Sequence, residues 1–281
     1  MNTINLKGKL NWTTDFNLST YKNEVVKLGP KGDPIYAGAS VTMIGKPIGS
    51  YFGWLTDGIY LNQAEVDKGP KFNPTGADRS RPGDVRFVDV SGPNGKPDGI
   101  INGLDKTIMG NPYPDFYYGM TNRLSFENIT FGITLQGVYG NDVFAATRGT
   151  IANSRARYRQ QAHLLNYWKS DSDPGDGQTP RPNKQPSGNF RGGFSQLFLD
   201  DGSYLRINNI SLGYLLPRKV TKSLKMSSLR FYITATNPFL YTNYRQFNPD
   251  VSNNGSSLEP NVDINDYPLQ KSLIVGLNVT F

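Results

Sequence analysis

The segment INLKGKLNWTTDFNL, residues 4–18, changes character at every step. Its even positions are Ile4, Leu6, Gly8, Leu10, Trp12, Thr14, Phe16 and Leu18, and its odd ones Asn5, Lys7, Lys9, Asn11, Thr13, Asp15 and Asn17. Side chains along a strand point alternately to the two faces of a sheet, so a period of two makes one apolar face and one polar face. The run is far longer than the usual strand of about five or six residues. The last residues repeat it, with Leu273, Val275, Leu277, Val279 and Phe281 on one side and Ile274, Gly276, Asn278 and Thr280 on the other. The same pattern holds over 129–140 (Ile129, Phe131, Ile133, Leu135, Tyr139) and 228–237 (Leu229, Phe231, Ile233, Ala235). It returns over 115–126 (Phe116, Tyr118, Met120, Leu124, Phe126), interrupted by Asn122, and over 203–216 (Ile210, Leu212, Tyr214, Leu216). Weaker strands are expected over 35–44 and 49–60.

Between these eight segments the connections alternate in length: 20–34, 61–114, 141–202 and 241–269 are long, and 45–48, 127–128 and 217–226 are short. An up-and-down barrel in an outer membrane has this asymmetry, with tight periplasmic turns and long outer loops. Lipid cannot hydrogen-bond a backbone, so strands cross it only when paired on both sides. Aromatics near the strand ends (Trp12, Tyr117, Tyr118, Tyr139, Tyr204, Tyr214, Phe239, Tyr241 and Phe281) suit interfacial girdles. Gly 30 and Pro 19 in 281 residues belong to a chain that turns often. Zero cysteines excludes a disulfide framework and a Cys nucleophile, and a single His163 excludes a multi-histidine metal site. A net charge of +7 is scattered rather than gathered on one basic face, so no nucleic-acid partner is expected. No apolar run is long enough for a spanning helix, and no secretory signal follows Met1. The competing architecture is a soluble β-sandwich, whose strands also alternate.

Several segments together resemble the C-terminal part of the SusC/RagA family of TonB-dependent outer-membrane transporters. They are KPIGSYFGWLTDGIY (46–60), PGDVRFVDVSG followed by DGIINGLDKTIMGNPYPDFYYGMTNRLSFENITFGITLQGVYGNDVF (82–144), LDDGSYLRINNISLGYLLP (199–217), LRFYITATNPFLYTNYRQFNPDVS (229–252) and GLNVTF (276–281). The resemblance implies a 22-strand barrel, an N-terminal plug, coupling to TonB, a SusD/RagB-like surface lipoprotein as lid, and uptake of oligosaccharides or peptides in the outer membrane of a Bacteroidetes-like Gram-negative cell. The chain departs from that pattern, with neither plug nor TonB-contacting segment and about eight strands. An open sheet would leave two unpaired edges in lipid. The expected fold is therefore all-β: an antiparallel up-and-down transmembrane β-barrel segment, about eight strands of a larger 22-strand-type barrel, with long extracellular loops. On this reading 1–281 is the C-terminal part of an outer-membrane β-barrel domain, and TonB is reached through the missing N-terminal part.

Residues 89–105 (DVSGPNGKPDGIINGLD) resemble the family's acidic loop, which looks like an EF-hand calcium loop. Mapped so, Asp89, Ser91 and Asp98 are early Ca2+ ligands, Gly99 the turn and Asp105 the closing carboxylate. Pro93 to Pro97 interrupt the loop, and the competing reading is a turn held by its own side-chain to backbone hydrogen bonds. The segment TIANSRARYRQQAHLLNYWK (150–169) reads as a helix. Its Arg155, Arg157 and Arg159 could dock on the lid or on lipopolysaccharide, against the plainer reading of a solvated loop helix containing a surface or packed His163. Trp168, Tyr241 and Tyr244 could stack on sugar rings as substrate contacts, or pack the loops themselves. Acids at Asp171 and Asp173, or at Asp200 and Asp201, sit in Gly/Pro-rich turns and are not expected to act as a glycosidase pair. Gly-x-Ser-x-Gly, Walker and Rossmann fingerprints are missing, so no residue is expected to make or break a covalent bond. The expected function is a fragment of a TonB-dependent importer working among outer-membrane lipid and lipopolysaccharide. The alternative is a soluble all-β glycan-binding module.

Overall fold

A computed structural model describes residues 1–72, 74, 79–148, 162–182, 194–251, 256–264 and 266–281. In chain order the strands are β1 (Asn2–Leu6), β2 (Leu10–Ser19), β3 (Ile35–Ala37), β4 (Ser40–Thr42), β5 (Ser50–Trp54), β6 (Thr56–Ile59), β7 (Lys71–Phe72), β8 (Val85–Phe87), β9 (Ile100–Ile101), β10 (Lys106–Gly110), β11 (Phe116–Phe126), β12 (Ile129–Tyr139), β13 (Asp142–Ala145), β14 (Leu199–Asp201), β15 (Tyr204–Leu215), β16 (Ser228–Thr242), β17 (Val262–Asp263) and β18 (Ser272–Thr280). Seven of them form one antiparallel sheet in the order β1-β2-β11-β12-β15-β16-β18. Its middle strands run to between 10 and 15 residues, enough for tilted strands to cross a hydrocarbon layer. The sheet is open: β1 and β18 lie at its two edges.

Residues directly opposite in adjacent strands share a face, so the registers draw the rows. One row runs Leu6, Trp12, Leu124, Phe131, Leu212, Ile233, Val275 across all seven strands. Next to it run Leu10, Phe126, Ile129, Tyr214, Phe231 and Leu277. Among the described residues nothing covers this apolar face: Leu6 is 46% exposed, Leu212 47% and Val275 74%. In a soluble sandwich these residues would lie against a second sheet. The rows of the opposite face are polar, among them Thr13, Arg123, Gly132, Ser211, Thr234 and Asp15, Thr121, Thr134, Asn209, Thr236.

Three sequence expectations change. Residues 4–18 are not one strand but a hairpin turning at 7–9, and a bulge between Ile4 and Leu6 sets Ile4 opposite Thr13, in the register of the polar face. Residues 35–44 and 49–60 leave the wall, which among the described residues has seven strands. They form β3 to β6 inside one long connection, because Val41, Tyr51, Trp54 and Ile59 are buried in a globular core rather than presented on one face. Tyr117 and Tyr204 are not girdle residues, since their register (Ser19, Tyr117, Val138, Tyr204) belongs to the polar face. Phe116, Tyr118, Tyr139, Phe239 and Tyr241 keep the apolar-face register at that end.

The three long connections, 20–115, 140–203 and 243–271, leave the same end of the sheet and their described residues build a packed cap, while the short turns lie at the other end. The dry core is here. Tyr51 packs with Ala39, Met109, Phe144, Phe198 and Val262, and Trp54 with Phe72, Val85, Phe87 and Ile101. The expected helix 150–169 is described only from Ala162, where Ala162–Asn166 is a 3-10 turn; Arg155, Arg157, Arg159 and the side chain of His163 lie outside the described residues.

Candidate functional site

The polar face carries two adjoining hollows. One, of about 360 Å³, is lined by Asn11, Thr13, Arg123, Thr130, Ser211 and Arg230 among others. Arg123 pairs with Asp15, and Arg230 Nη2 donates to Thr130 Oγ1 at 3.0 Å. The second, of about 460 Å³, is lined by Asn17, Gln136, Tyr204, Asn208 and Asp250 among others. Asn208 Nδ2 donates to Gln136 Oε1 at 2.6 Å. At the cap end the buried guanidinium of Arg206 donates to Asn248 Oδ1 at 2.9 Å and to Asp250 Oδ2 at 3.2 Å. That pair holds the segment after β16 against the polar face. The wall thus offers hydroxyls, amides and charges of both signs, groups that exchange hydrogen bonds with a polar solute.

The wall meets the cap at an aromatic cleft of about 400 Å³. Tyr21, just beyond β2, stacks on Tyr117 of β11 with ring centroids 6.1 Å apart and planes at 10°, and Tyr113 meets Tyr21 edge-on at 6.0 Å. The cap side of the cleft is fixed by Tyr51. Its buried hydroxyl donates to Asn261 O at 2.8 Å, with Pro260 O at 3.0 Å beside it, and burial pushes its pKa up. None of these tyrosines was singled out from sequence as a binding group. The signal was there for Tyr117, which shares its phase with Gly119, Thr121 and Arg123; Tyr21 and Tyr113 reach it only through the fold.

The expected aromatic contacts do not come together. Tyr244 is buried and its hydroxyl donates to Asp263 Oδ2 at 2.5 Å. Trp168 donates from Nε1 to Leu61 O at 2.9 Å and packs its ring on Gly83. Tyr241 is exposed and stacks on Phe239 at 6.5 Å in the register of the apolar face. Of the acids, Asp200 is buried between Arg148 (2.7 Å) and Arg245 Nε (2.9 Å), tying three segments of the cap, while Asp173 pairs with Lys169 at 2.8 Å on the surface.

In the acidic loop, Asp105 Oδ1 accepts from Val90 N (3.1 Å) and Ser91 N (3.2 Å), and Oδ2 from Asn102 N (2.8 Å). Asp89 accepts from Gly99 N at 2.5 Å and Asp98 from Ile100 N at 2.9 Å. These carboxylates accept from backbone N–H groups while Asp89 Oδ1 is buried without a partner, and among the described residues no three acidic or histidine side chains gather as a metal cluster. A calcium ion wants about six to eight converging oxygens, which Asp89, Ser91, Asp98 and Asp105 do not supply in this arrangement.

No family model matches the chain. It is 27% identical over 285 residues to TonB-dependent receptor P3 of Formosa agariphila, a match covering 96% of the chain and 27% of that protein. To TonB-dependent receptor SusC of Bacteroides thetaiotaomicron it is 25% identical over 279 residues, covering 96% of the chain and 24% of SusC. Among solved structures the RagAB peptide transporter superposes on 100% of the chain, and 28% of its own, with a TM-score of 0.75 at 18% identity. The same peptide importer in its open-open state gives 0.74. The chain spans about a quarter of the length of these curated relatives. The likeness to SusC/RagA-type TonB-dependent receptors holds over nearly the whole chain.

Proposed function

We propose that residues 1–281 form part of the wall and outer cap of an outer-membrane, TonB-dependent nutrient importer of the SusC/RagA kind. The observation that carries this reading is the bare apolar face, seven strands wide, set against a polar face with hollows large enough for solute. Apolar rows of that extent are stable beside hydrocarbon and costly in water. The TonB-dependent receptors and the RagAB fold support the same conclusion. In this role the two edge strands pair with strands of the rest of the barrel, and a SusD/RagB-like surface lipoprotein closes over the cap. An oligosaccharide or peptide then moves along the polar face when TonB remodels a plug. On their basic sequence alone, Arg155, Arg157 and Arg159 are assigned to contact that lipoprotein or lipopolysaccharide. The wall binds and guides; bond cleavage is assigned to no residue. A soluble glycan-binding module would leave the apolar rows in water, and no observation favours it.

The chain contains no cysteine, so within this segment each single replacement supplies the one thiol, and the unsubstituted protein sets the labelling background. Leu212→Cys and Val275→Cys should resist a membrane-impermeant maleimide in intact outer membranes, while Ser211→Cys and Thr130→Cys react. Equal labelling of both sets would remove the basis of the importer reading.

A further inference from the structure

We propose that the cleft of Tyr21, Tyr113 and Tyr117 is the subsite that takes a neutral sugar ring of an oligosaccharide as it passes from the cap onto the polar wall. The proposal rests on the importer reading and adds to it a place and a ligand class. Three observations carry it. First, the rings are open: Tyr21 is 47% and Tyr117 38% exposed, in a hollow whose volume lies in the range of small-ligand sites. Second, its lining, completed by Ile48, Pro112, Val251 and Pro260 with Ser257 and Asn261, carries no charged side chain among the described residues. A sugar ring has an apolar C–H face and a polar rim. Tyrosine faces suit the first, and the tyrosine hydroxyls with Ser257 and Asn261 suit the second. A peptide's charged termini would find no counter-charge in this lining, since the nearby Asp250 lies in the adjoining hollow and is paired with Arg206.

The third observation is rigidity. Asn261 Nδ2 donates to Pro112 O at 2.5 Å, and Tyr51 holds the carbonyls of residues 260 and 261 from behind. Asn23 Oδ1 accepts from Ile48 N at 3.0 Å, anchoring the segment that carries Tyr21 to the cap. A site held so firmly loses little freedom when a ring docks, which favours binding. Tyr117 also lines the second polar hollow, so a chain bound at the cleft continues directly onto Gln136 and Asn208.

The test uses the protein as its own cells produce it, purified in detergent, and calorimetric titration with linear α-1,4-, β-1,4- and β-1,3-linked glucohexaoses and β-1,4-mannohexaose. At least one hexaose should bind. Tyr21→Ala and Tyr117→Ala should each weaken that binding about tenfold, and Tyr117→Phe, which keeps the ring but loses the hydroxyl, should weaken it by less, whereas Tyr267→Ala, at a residue 90% exposed and outside the cleft's lining, should leave it within about twofold. An unchanged near-ultraviolet spectrum confirms that each variant is folded. Binding of none of the hexaoses, or binding that survives both alanine variants, overturns the proposal. Neutral hexapeptides that bind and are lost in both variants also overturn it, while the maleimide pattern of the wall residues judges the importer reading separately.

Discussion

At Asp105 a fully buried carboxylate serves three backbone N–H groups from two directions, Asn102 nearby and Val90 and Ser91 at separations of 15 and 14 residues. The acidic composition of 89–105 and its turn at Gly99 were plain from the residues. A turn held by its own side-chain to backbone bonds is a reading the residues allow; which N–H groups the closing acid takes is not, because that needs the loop already closed. Removing the side chain strands buried donors, each worth about 1–3 kcal/mol. Asp105→Ala should therefore cost the cap about 3 kcal/mol by chemical denaturation, and millimolar calcium should leave the melting temperature of the unaltered chain unchanged. A clear calcium-dependent rise, lost in Asp98→Ala, would restore the metal reading.

Among the elements, β11 and β12 pair without interruption from Phe116 with Tyr139 to Phe126 with Ile129, around a turn in which Glu127 takes a φ of +48°. Every wall strand except the first followed from its alternation. The first pair reads as one long strand because the turn at Lys7–Lys9 keeps the polar and apolar sequence in step. Residues 35–60 were misplaced for the opposite reason: short strands buried on both faces look like weak wall strands until their neighbours are known. Across β16 and β18, the Tyr232 ring lies over Gly276, where an added Cβ would collide with it. Gly276→Ala should destabilise the sheet by about 1–3 kcal/mol, measured as the shift in denaturant midpoint. Trimming the ring in Tyr232→Ala should recover part of that loss in the double variant, and strictly additive costs would show that the ring does not depend on the glycine.

Over the whole molecule, two solvents are implied by two kinds of apolar residue. The cap buries Tyr51, Phe144 and Phe198 against each other, while Leu212, Phe231 and Leu273 on the wall stay bare. If hydrocarbon covers the wall, a charge at its middle is expensive. Ile133 lies in the central row with Ile210, Ala235 and Leu273, and Ile133→Arg should cost about 2–4 kcal/mol in liposomes. Ser211→Arg, on the polar face, should stay within about 1 kcal/mol. Denaturation followed by tryptophan fluorescence distinguishes these values, and equal costs would mean that protein or water covers both faces. Alternation is local: each residue's side of the strand follows from its neighbours, so the wall strands, their two faces and the short turns could be read along the chain. The placement of the core is not local. Tyr51 finds its partner at Asn261, 210 residues away, and the stacking of Tyr21 on Tyr117 depends on strands that meet only after the sheet has formed. Which apolar side chains other protein covers, and which are left for another medium, was settled only when those distant segments packed.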